Sequence, residues 1–379
     1  MKKAIVLGGG MVGATMARDL KQGGDFAVTV ADVRPDVLAK HAATLGVETV
    51  VADLRDPNAV KRAVADHDVV LGALSSVLGL QTLRAVIEAG KGYCDISFMA
   101  EDGTQLHELA HARGVTCVID CGVAPGISNM LAGYSVTQLD PCESLDIFVG
   151  GLPAERLWPY EYKAGFAPHD VIEEYTRPAR LMEHGQVVVK EALTEPELID
   201  FPGVGTLEAF NTDGLRTLLH TLPVRDMREK TLRYPGHIEL MRVLRATGFF
   251  DKTPIVVDGA TVRPLDVTAA LLFPRWGFGP GEADLTVLRV SAVGRQGGSR
   301  VCMSWDLLDR YDPGTDTRSM SRSTAFPAAL VARMIASGRL NRPGVYPPEV
   351  LAREPGFLDE VLAGLAARGV KLSSQVRPA

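Results

Sequence analysis

One turn constrains this chain more than any other feature. Gly8-Gly9-Gly10-Met11-Val12-Gly13 follows the apolar run Ala4–Leu7 and opens a stretch that puts Val12, Met16, Ala17 and Leu20 on one helical face. A strand passing into a helix through glycines spaced G-x-G-x-x-G is the geometry of a phosphate cradle. Gly8 permits the tight turn, Gly10 lets the backbone approach a pyrophosphate, and Gly13 lets helix and strand pack closely. The helix N-terminus, at Met11 and Val12, then offers unpaired N–H groups and the positive end of its dipole to the phosphates.

The rhythm that follows agrees with this turn. Apolar runs at Ala4–Leu7, Ala27–Ala31, Glu48–Ala52, Asp68–Leu74, Tyr93–Asp95 and Val115–Asp120 alternate with amphipathic stretches at Val12–Leu20, Asp36–Leu45, Pro57–Ala65, Leu80–Ala89 and Glu101–Arg113. Strand–helix–strand at this spacing requires crossovers, hence a parallel sheet covered on both faces, and six strands in that rhythm make a doubly wound Rossmann domain. Asp32 closes the second strand at the distance where an acidic residue accepts the ribose hydroxyls of NAD and repels the 2′-phosphate of NADP. Arg34, two residues on, offers that phosphate a partner instead. Asp53 and Ser75-Ser76 end the third and fourth strands, on the edge where ligands gather, and are candidates for the adenine end and the nicotinamide ribose. The serines suit helix caps equally well.

After Gly122-Val123-Ala124-Pro125-Gly126 the alternation breaks. Longer β segments follow, with a hairpin expected where Leu285–Val293 and Arg300–Trp305 flank Gly294–Ser299, a loop over Pro274–Gly281, and helix over Ala325–Gly338 and Pro348–Arg368.

Bulk properties exclude several classes. The 379 residues suit two domains, and an apolar fraction of 46% is that of a globular chain. A net charge of −6 argues against a nucleic-acid partner. The apolar run after Lys2-Lys3 stops at four residues, too short for a signal peptide, and no run of about 18 apolar residues crosses a membrane. Five cysteines without a C-x-x-C pair suit reduced, buried thiols and a cytoplasmic location. His107-Glu108-Leu109-Ala110-His111 satisfies H-E-x-x-H, but it falls on a crossover helix and lacks a third ligand downstream, so no metal is expected. Cys117 and Cys121 lack a second pair and read as core thiols.

Several segments together resemble the saccharopine dehydrogenase-like superfamily, and within it the bacterial lysine 6-dehydrogenases. They are Asp120–Asn129, Gly150–Pro153, Tyr160–Lys163, Ile172–Tyr175, Phe210–Leu215 and Thr231–His237. The resemblance implies a Rossmann domain (1–125), a substrate-binding and oligomerisation domain of α+β type (126–322), and C-terminal helices that return to the first domain (323–379). It implies NAD-linked oxidation of the side-chain amine of lysine to allysine, which cyclises, with release of ammonia. It also implies a homodimer or larger assembly through the second domain's sheet. Saccharopine reductases of this superfamily carry an acidic residue where this chain has Ala124, which counts against saccharopine as the substrate.

Such a reaction needs a base, because only the neutral amine releases hydride and water must later attack the imine. Asp95, Glu161, Lys163, Asp213 and His237 are the candidates. The substrate's α-carboxylate calls for a planar cationic fork, for which Arg233 is the first choice, with Glu161, Asn211 and His237 completing the pocket. Two other readings stay open. One is a reductase joining an aldehyde to an amino acid, as in saccharopine or carboxynorspermidine formation with NAD(P). The other is a non-catalytic dinucleotide-binding redox sensor.

Overall fold

The computed structural model describes residues 1–379 as two compact units, Met1–Thr137 with Ser321–Lys371, and Gln138–Met320 with Leu372–Ala379. In the first, strands β1 (Lys2–Leu7), β2 (Phe26–Asp32), β3 (Glu48–Val51), β4 (Val69–Gly72), β5 (Gly92–Asp95) and β6 (Thr116–Val118) alternate with helices α1 (Met11–Gln22), α2 (Pro35–Leu45), α3 (Pro57–Val64), α4 (Gly79–Glu88) and α5 (His107–Ala112). Local chemistry sets the boundaries. Pro57 opens α3 behind Asp56, whose carboxylate caps the Asn58 N–H at 2.9 Å, and Gly46 closes α2 at φ +63°. Residues 126–137, expected to open the second domain, belong to the first unit, all but Gly126 within α6 (Ile127–Gln138).

The second unit is built on long strands: β7 (Cys142–Pro153), β8 (Ala179–Glu183), β9 (Gln186–Lys190), β10 (Glu197–Phe201), β11 (Gly205–Asn211), β12 (Asp226–Arg233), a small ribbon of β13 (Ile255–Val257) and β14 (Ala260–Val262), then β15 (Asp284–Gln296) and β16 (Ser299–Arg310). Helices α7 (Pro168–Thr176), α8 (Leu218–Thr221), α9 (His237–Thr247) and α10 (Pro264–Trp276) lie between them. The β15–β16 hairpin stays paired to Gln296 opposite Ser299, leaving only Gly297-Gly298 in its turn. Both glycines have positive φ, as a two-residue turn matched to strand twist requires. The loop expected over Pro274–Gly281 begins only at Gly277. Pro274 forgoes a helical hydrogen bond, but Trp276 behind it is fully buried in an aromatic core and holds the last turn in place.

Helix α11 (Ser319–Ser337) starts earlier than its apolar pattern suggests, because Asp284 accepts the N–H groups of Ser319 and Met320 at its first turn. The chain then adds β17 (Gly344–Tyr346), α12 (Pro348–Leu351), α13 (Phe357–Ala367) and β18 (Leu372–Pro378). Gly356, at φ +80°, divides the single helix expected over 348–368. The first sheet runs β17-β6-β5-β4-β1-β2-β3, all parallel: the expected Rossmann order extended by a seventh strand. The second sheet is mixed and follows β10-β11-β12-β7-β15-β16-β18, with β8 and β9 attached through β12. Residues 372–379, assigned to the C-terminal helices from the sequence, instead belong to the second unit, where Leu372–Pro378 form the outer strand of this sheet.

The returning helices are fastened to α1 by charge. Asp19 accepts hydrogen bonds from Arg333 at 2.5 Å and from Arg368 at 2.5 and 3.2 Å, with its side chain 9% exposed. Removing the carboxylate leaves two guanidinium groups facing each other in a largely dry site. Asp19→Ala is therefore expected to lower the stability of the first unit by about 3 kcal/mol, read as a drop of several degrees in a thermal melt.

Candidate functional site

The glycine turn is sterically exacting. Gly8 sits at φ +105°, a Cβ there would lie 2.4 Å from the Ala73 carbonyl oxygen, and a Cβ on Gly13 would lie 1.9 Å from that of Gly8. Gly10 has nothing within 4 Å of its missing Cβ, so the space beside it is open. It precedes α1, whose first turn (Met11, Val12, Gly13) has no side-chain cap and no acidic residue. These residues fit a dinucleotide: an open cradle over unpaired N–H groups, with an acid at the second strand's end.

That acid is Asp32. It accepts the Gly9 N–H at 2.7 Å and, through its other oxygen, the N–H and Nε of Arg34 at 3.0 and 3.1 Å. Burial pushes its pKa up, but the bonds from Arg34 and Gly9 prevail and hold it below the usual carboxylate range. A residue with no motif to announce it, His41, holds the other side of the same peptide, its Nε2 lying 2.8 Å from the Gly9 carbonyl. Asp53 is half-exposed and engaged by Arg55 in its own turn. Ser75 accepts the Leu78 N–H on its carbonyl at the start of a short 3-10 turn, and Ser76 is buried beside it. In α5, His107 is bound through Nδ1 to the Val345 carbonyl and meets the Tyr346 ring edge-on.

Asp95 ends β5, fully buried. It accepts the Tyr93 hydroxyl at 2.8 Å, the Ser97 N–H at 3.1 Å and the Ser97 hydroxyl at 2.6 Å. Burial raises its pKa to about 6, against the opposing effect of those donors. Gly72 makes the arrangement possible, since a Cβ there would lie 1.9 Å from the Tyr93 oxygen.

In the second unit the candidates fall into separate groups. Arg233 is 2% exposed and fully engaged: Glu174 at 2.5 Å, the Tyr175 hydroxyl at 3.3 Å, the Leu232 carbonyl at 3.0 Å, and the Tyr162 ring 4.4 Å beneath it. The guanidinium expected to clamp a substrate carboxylate is thus neutralised inside the protein. His237 donates from Nδ1 to the Tyr160 carbonyl at 2.8 Å, and its Nε2 faces the Tyr175 hydroxyl at 2.9 Å. Burial, then the Arg233 charge, lower its pKa to about 3, so it is a neutral packing element near pH 7. Asp213 is held by Arg180 through two bonds of 2.8 Å, and Glu161 by Arg156 at 2.5 Å. Asn211 donates to Thr194 and Glu195, while its buried Oδ1 makes no hydrogen bond.

Lys163 belongs to a group the sequence did not announce. It pairs with Glu282, whose carboxylate also accepts the Gly279 N–H at 2.6 Å, and its ammonium lies 5.8 Å from the Phe278 ring. Arg318 lies over that ring at 4.9 Å and donates to the Gly279 carbonyl at 2.8 Å, while its Nε is buried and makes no hydrogen bond. Two cations thus share one acid, and one guanidinium donor is unused. Only long-range folding reveals it, since Lys163 and Glu282 are 119 residues apart.

A last buried acid, Glu229, accepts the Thr212 hydroxyl at 2.5 Å. Burial raises its pKa to about 8, and Glu174 and Asp213 push in the same direction. The folded state then holds a proton that the unfolded chain releases near the ordinary glutamate value of 4.5. Its stabilising share is full below pH 4.5 and lost as pH rises through 8. Glu229→Gln, which keeps the neutral shape, is expected to leave the melting temperature unchanged at pH 4. It should raise it by several degrees at pH 8 to 9, as thermal melts across that range will read.

Residues 4–118 match the saccharopine dehydrogenase NADP binding domain, and residues 122–370 the saccharopine dehydrogenase C-terminal domain. The chain is 22% identical to the NADP-dependent, L-glutamate-forming saccharopine dehydrogenase of Schizosaccharomyces pombe, covering 87% of this chain and 88% of that protein. It is 22% identical to the carboxynorspermidine synthase of Vibrio cholerae, over 77% and 74% of the two chains. It matches the mitochondrial alpha-aminoadipic semialdehyde synthase of Bos taurus at 21% identity, spanning 99% of this chain but 48% of that protein. Among solved structures, the apo saccharopine dehydrogenase of Saccharomyces cerevisiae shares the fold along both whole chains, with a TM-score of 0.82 at 18% identity. The homospermidine synthase of Legionella pneumophila, solved with NAD, shares it at 0.64, with 11% identity and coverage of 100% and 91%. With both halves matched, the chain belongs to the saccharopine dehydrogenase family of dinucleotide-binding amino-acid oxidoreductases.

Proposed function

We propose that this protein is an NAD-dependent dehydrogenase of the lysine 6-dehydrogenase type, oxidising the side-chain amine of an amino acid. The observation that carries the cofactor assignment is Asp32: an ionised carboxylate at the end of β2, held against the glycine turn by the Gly9 N–H. There it accepts two ribose hydroxyls and disfavours a phosphate. Bound NAD supplies the hydride acceptor; the protein's own residues supply position and proton handling. Gly8, Gly10 and Gly13, with the amides of Met11 and Val12, seat the diphosphate. His41 keeps the Gly9 peptide turned so that its N–H reaches Asp32.

Lys163 and Arg318 receive the substrate carboxylate in place of Glu282, a role that Arg233, closed in by Glu174, does not fill. Of the five bases considered Asp95 alone combines a pKa of about 6 with freedom from a direct ion pair, but it is fully buried with its oxygens taken by Tyr93 and Ser97, so it is not assigned as the proton acceptor. Ala124, at the position where saccharopine reductases carry an acid, favours a primary amine over saccharopine.

A second reading, a saccharopine- or carboxynorspermidine-type reductase, is favoured by the activities of the relatives that match most of the chain. Arg34, at the outer side of Asp32 and 55% exposed, is placed to meet the 2′-phosphate of NADP in that case. Absorbance of the reduced nicotinamide separates the two. Lysine with NAD should turn over faster than saccharopine with either cofactor; brisk saccharopine turnover with NADP and none of lysine reverses the assignment. Arg318→Met is expected to lower kcat/KM for the amino acid by roughly 10- to 100-fold, the loss of about 1.5–3 kcal/mol from a charged hydrogen bond. Dissociation constants for NADH measured by fluorescence should not move.

A further inference from the structure

Sulfur is sorted by depth in this chain. All five cysteines are buried, and burial pushes the Cys117 thiol up to about 12 and the Cys142 thiol to about 11, which keeps both in the inert thiol form. Nine of the eleven methionines are buried as well, none more than 8% exposed. The two that remain are Met1, just ahead of β1, and Met11, which is 40% exposed. Met11 is the first residue of α1, directly behind Gly10. Each Cα–Cβ bond of a helix tilts toward its N-terminus, so a side chain at the first position leans over the turn that precedes it. For Met11 that turn is the glycine cradle, where nothing lies within 4 Å of the missing Cβ of Gly10. Its thioether is thus open to water beside amides that no side chain caps and no acid of the first turn faces. A methionine sulfur in water is within reach of peroxides, whereas one in a packed core is shielded.

We propose that Met11 is an oxidation site through which a peroxide controls dinucleotide binding, a role that rests on the glycine turn being the cofactor's seat. The thioether sulfur attacks one oxygen of hydrogen peroxide, and the O–O bond breaks. Sulfur gains an S–O bond and is oxidised by two electrons. The proton of the transferred oxygen goes to the departing hydroxide, which leaves as water. The product is a sulfoxide, a strong acceptor with no proton to donate. It acts on the cradle in two ways. Its oxygen competes, from within the same molecule, for the N–H groups of the first turn that a diphosphate would take. It also sets a partial negative charge against the diphosphate oxygens, and neither side has a donor to offer. The unoxidised thioether, apolar and soft, does neither. A bound dinucleotide covers the sulfur in turn, so the occupied site is the resistant one. Met1 supplies an internal comparison, since the whole length of β1 separates it from the glycine turn.

The test treats the full-length chain with graded hydrogen peroxide, then combines peptide mapping by mass spectrometry with fluorescence titration of NADH and NADPH. Met1 and Met11 should become sulfoxides before any buried methionine does, with circular dichroism unchanged. Once Met11 is converted, the dissociation constant of the tighter dinucleotide should rise about tenfold, the size of one net hydrogen bond. Methionine sulfoxide reductase should reverse the rise. Saturating dinucleotide should slow the conversion of Met11 and leave that of Met1 alone. Met11→Leu, compared with itself before and after the same dose, should show no rise although its Met1 is still converted. Untreated protein that binds neither dinucleotide overturns this proposal together with the cradle reading beneath it. Where the untreated protein binds, three results overturn this proposal alone: a buried methionine converted before Met11, an unchanged dissociation constant once Met11 is a sulfoxide, or an equal rise in Met11→Leu.

Discussion

The Gly9 peptide is the fixed point of the nucleotide-binding unit. Its N–H is taken by Asp32 from the end of β2 and its carbonyl faces His41 from α2, so the loop between β1 and α1 is held from both sides. Room there is tight, since a Cβ on Gly9 would lie 3.3 Å from both the Asp32 carboxylate and the Val37 side chain. The consequence for binding is preorganisation. A loop whose peptide plane is already set loses little freedom when a diphosphate arrives, and a carboxylate already ionised needs no proton released to accept a ribose. The hydrogen bond that steadies the loop is also what keeps Asp32 charged in a buried position, so the geometry and the electrostatics of this corner cannot be altered separately.

What could be read from the sequence follows the range of the interactions involved. The glycine turn, Asp32 and the strand–helix alternation are local signals, each complete within about thirty residues, and the structure places them on one edge of one parallel sheet. The seventh strand escaped notice because Gly344–Tyr346 is three residues long, and its pairing partner, β6, lies more than two hundred residues upstream. The last strand escaped because Leu372–Pro378 is a polar, mostly exposed outer strand with little apolar alternation to show. Side-chain roles were the least legible. Arg233 looked available as a carboxylate clamp until folding brought Glu174, 59 residues away, within 2.5 Å. Lys163 looked like a base until it met Glu282. Asp213 was claimed by Arg180 in the same manner. Residue type and spacing indicate which charges a chain carries, but only the fold decides which of them neutralise one another.

That sorting of charges bears on where a substrate can bind in the second unit. Arg233 lies among Tyr162, Tyr175 and Phe210, and Glu174 matches its charge. Drawing it away to a ligand would leave Glu174 ionised in a dry site beside the already protonated Glu229, a cost of several kcal/mol that one new hydrogen-bonded pair does not return. Its physical part is to hold β12, α7 and the aromatic core in register. The Lys163–Arg318 group has the opposite character. Glu282 is 40% exposed, so displacing it returns a carboxylate to water instead of stranding it in a dry site. The two cations converge on one ring, and the buried Nε–H of Arg318 has no acceptor in the resting protein. A binding site needs a charge whose resting partner is cheap to replace, and of the cations considered for a carboxylate in this unit that condition is met beside Phe278.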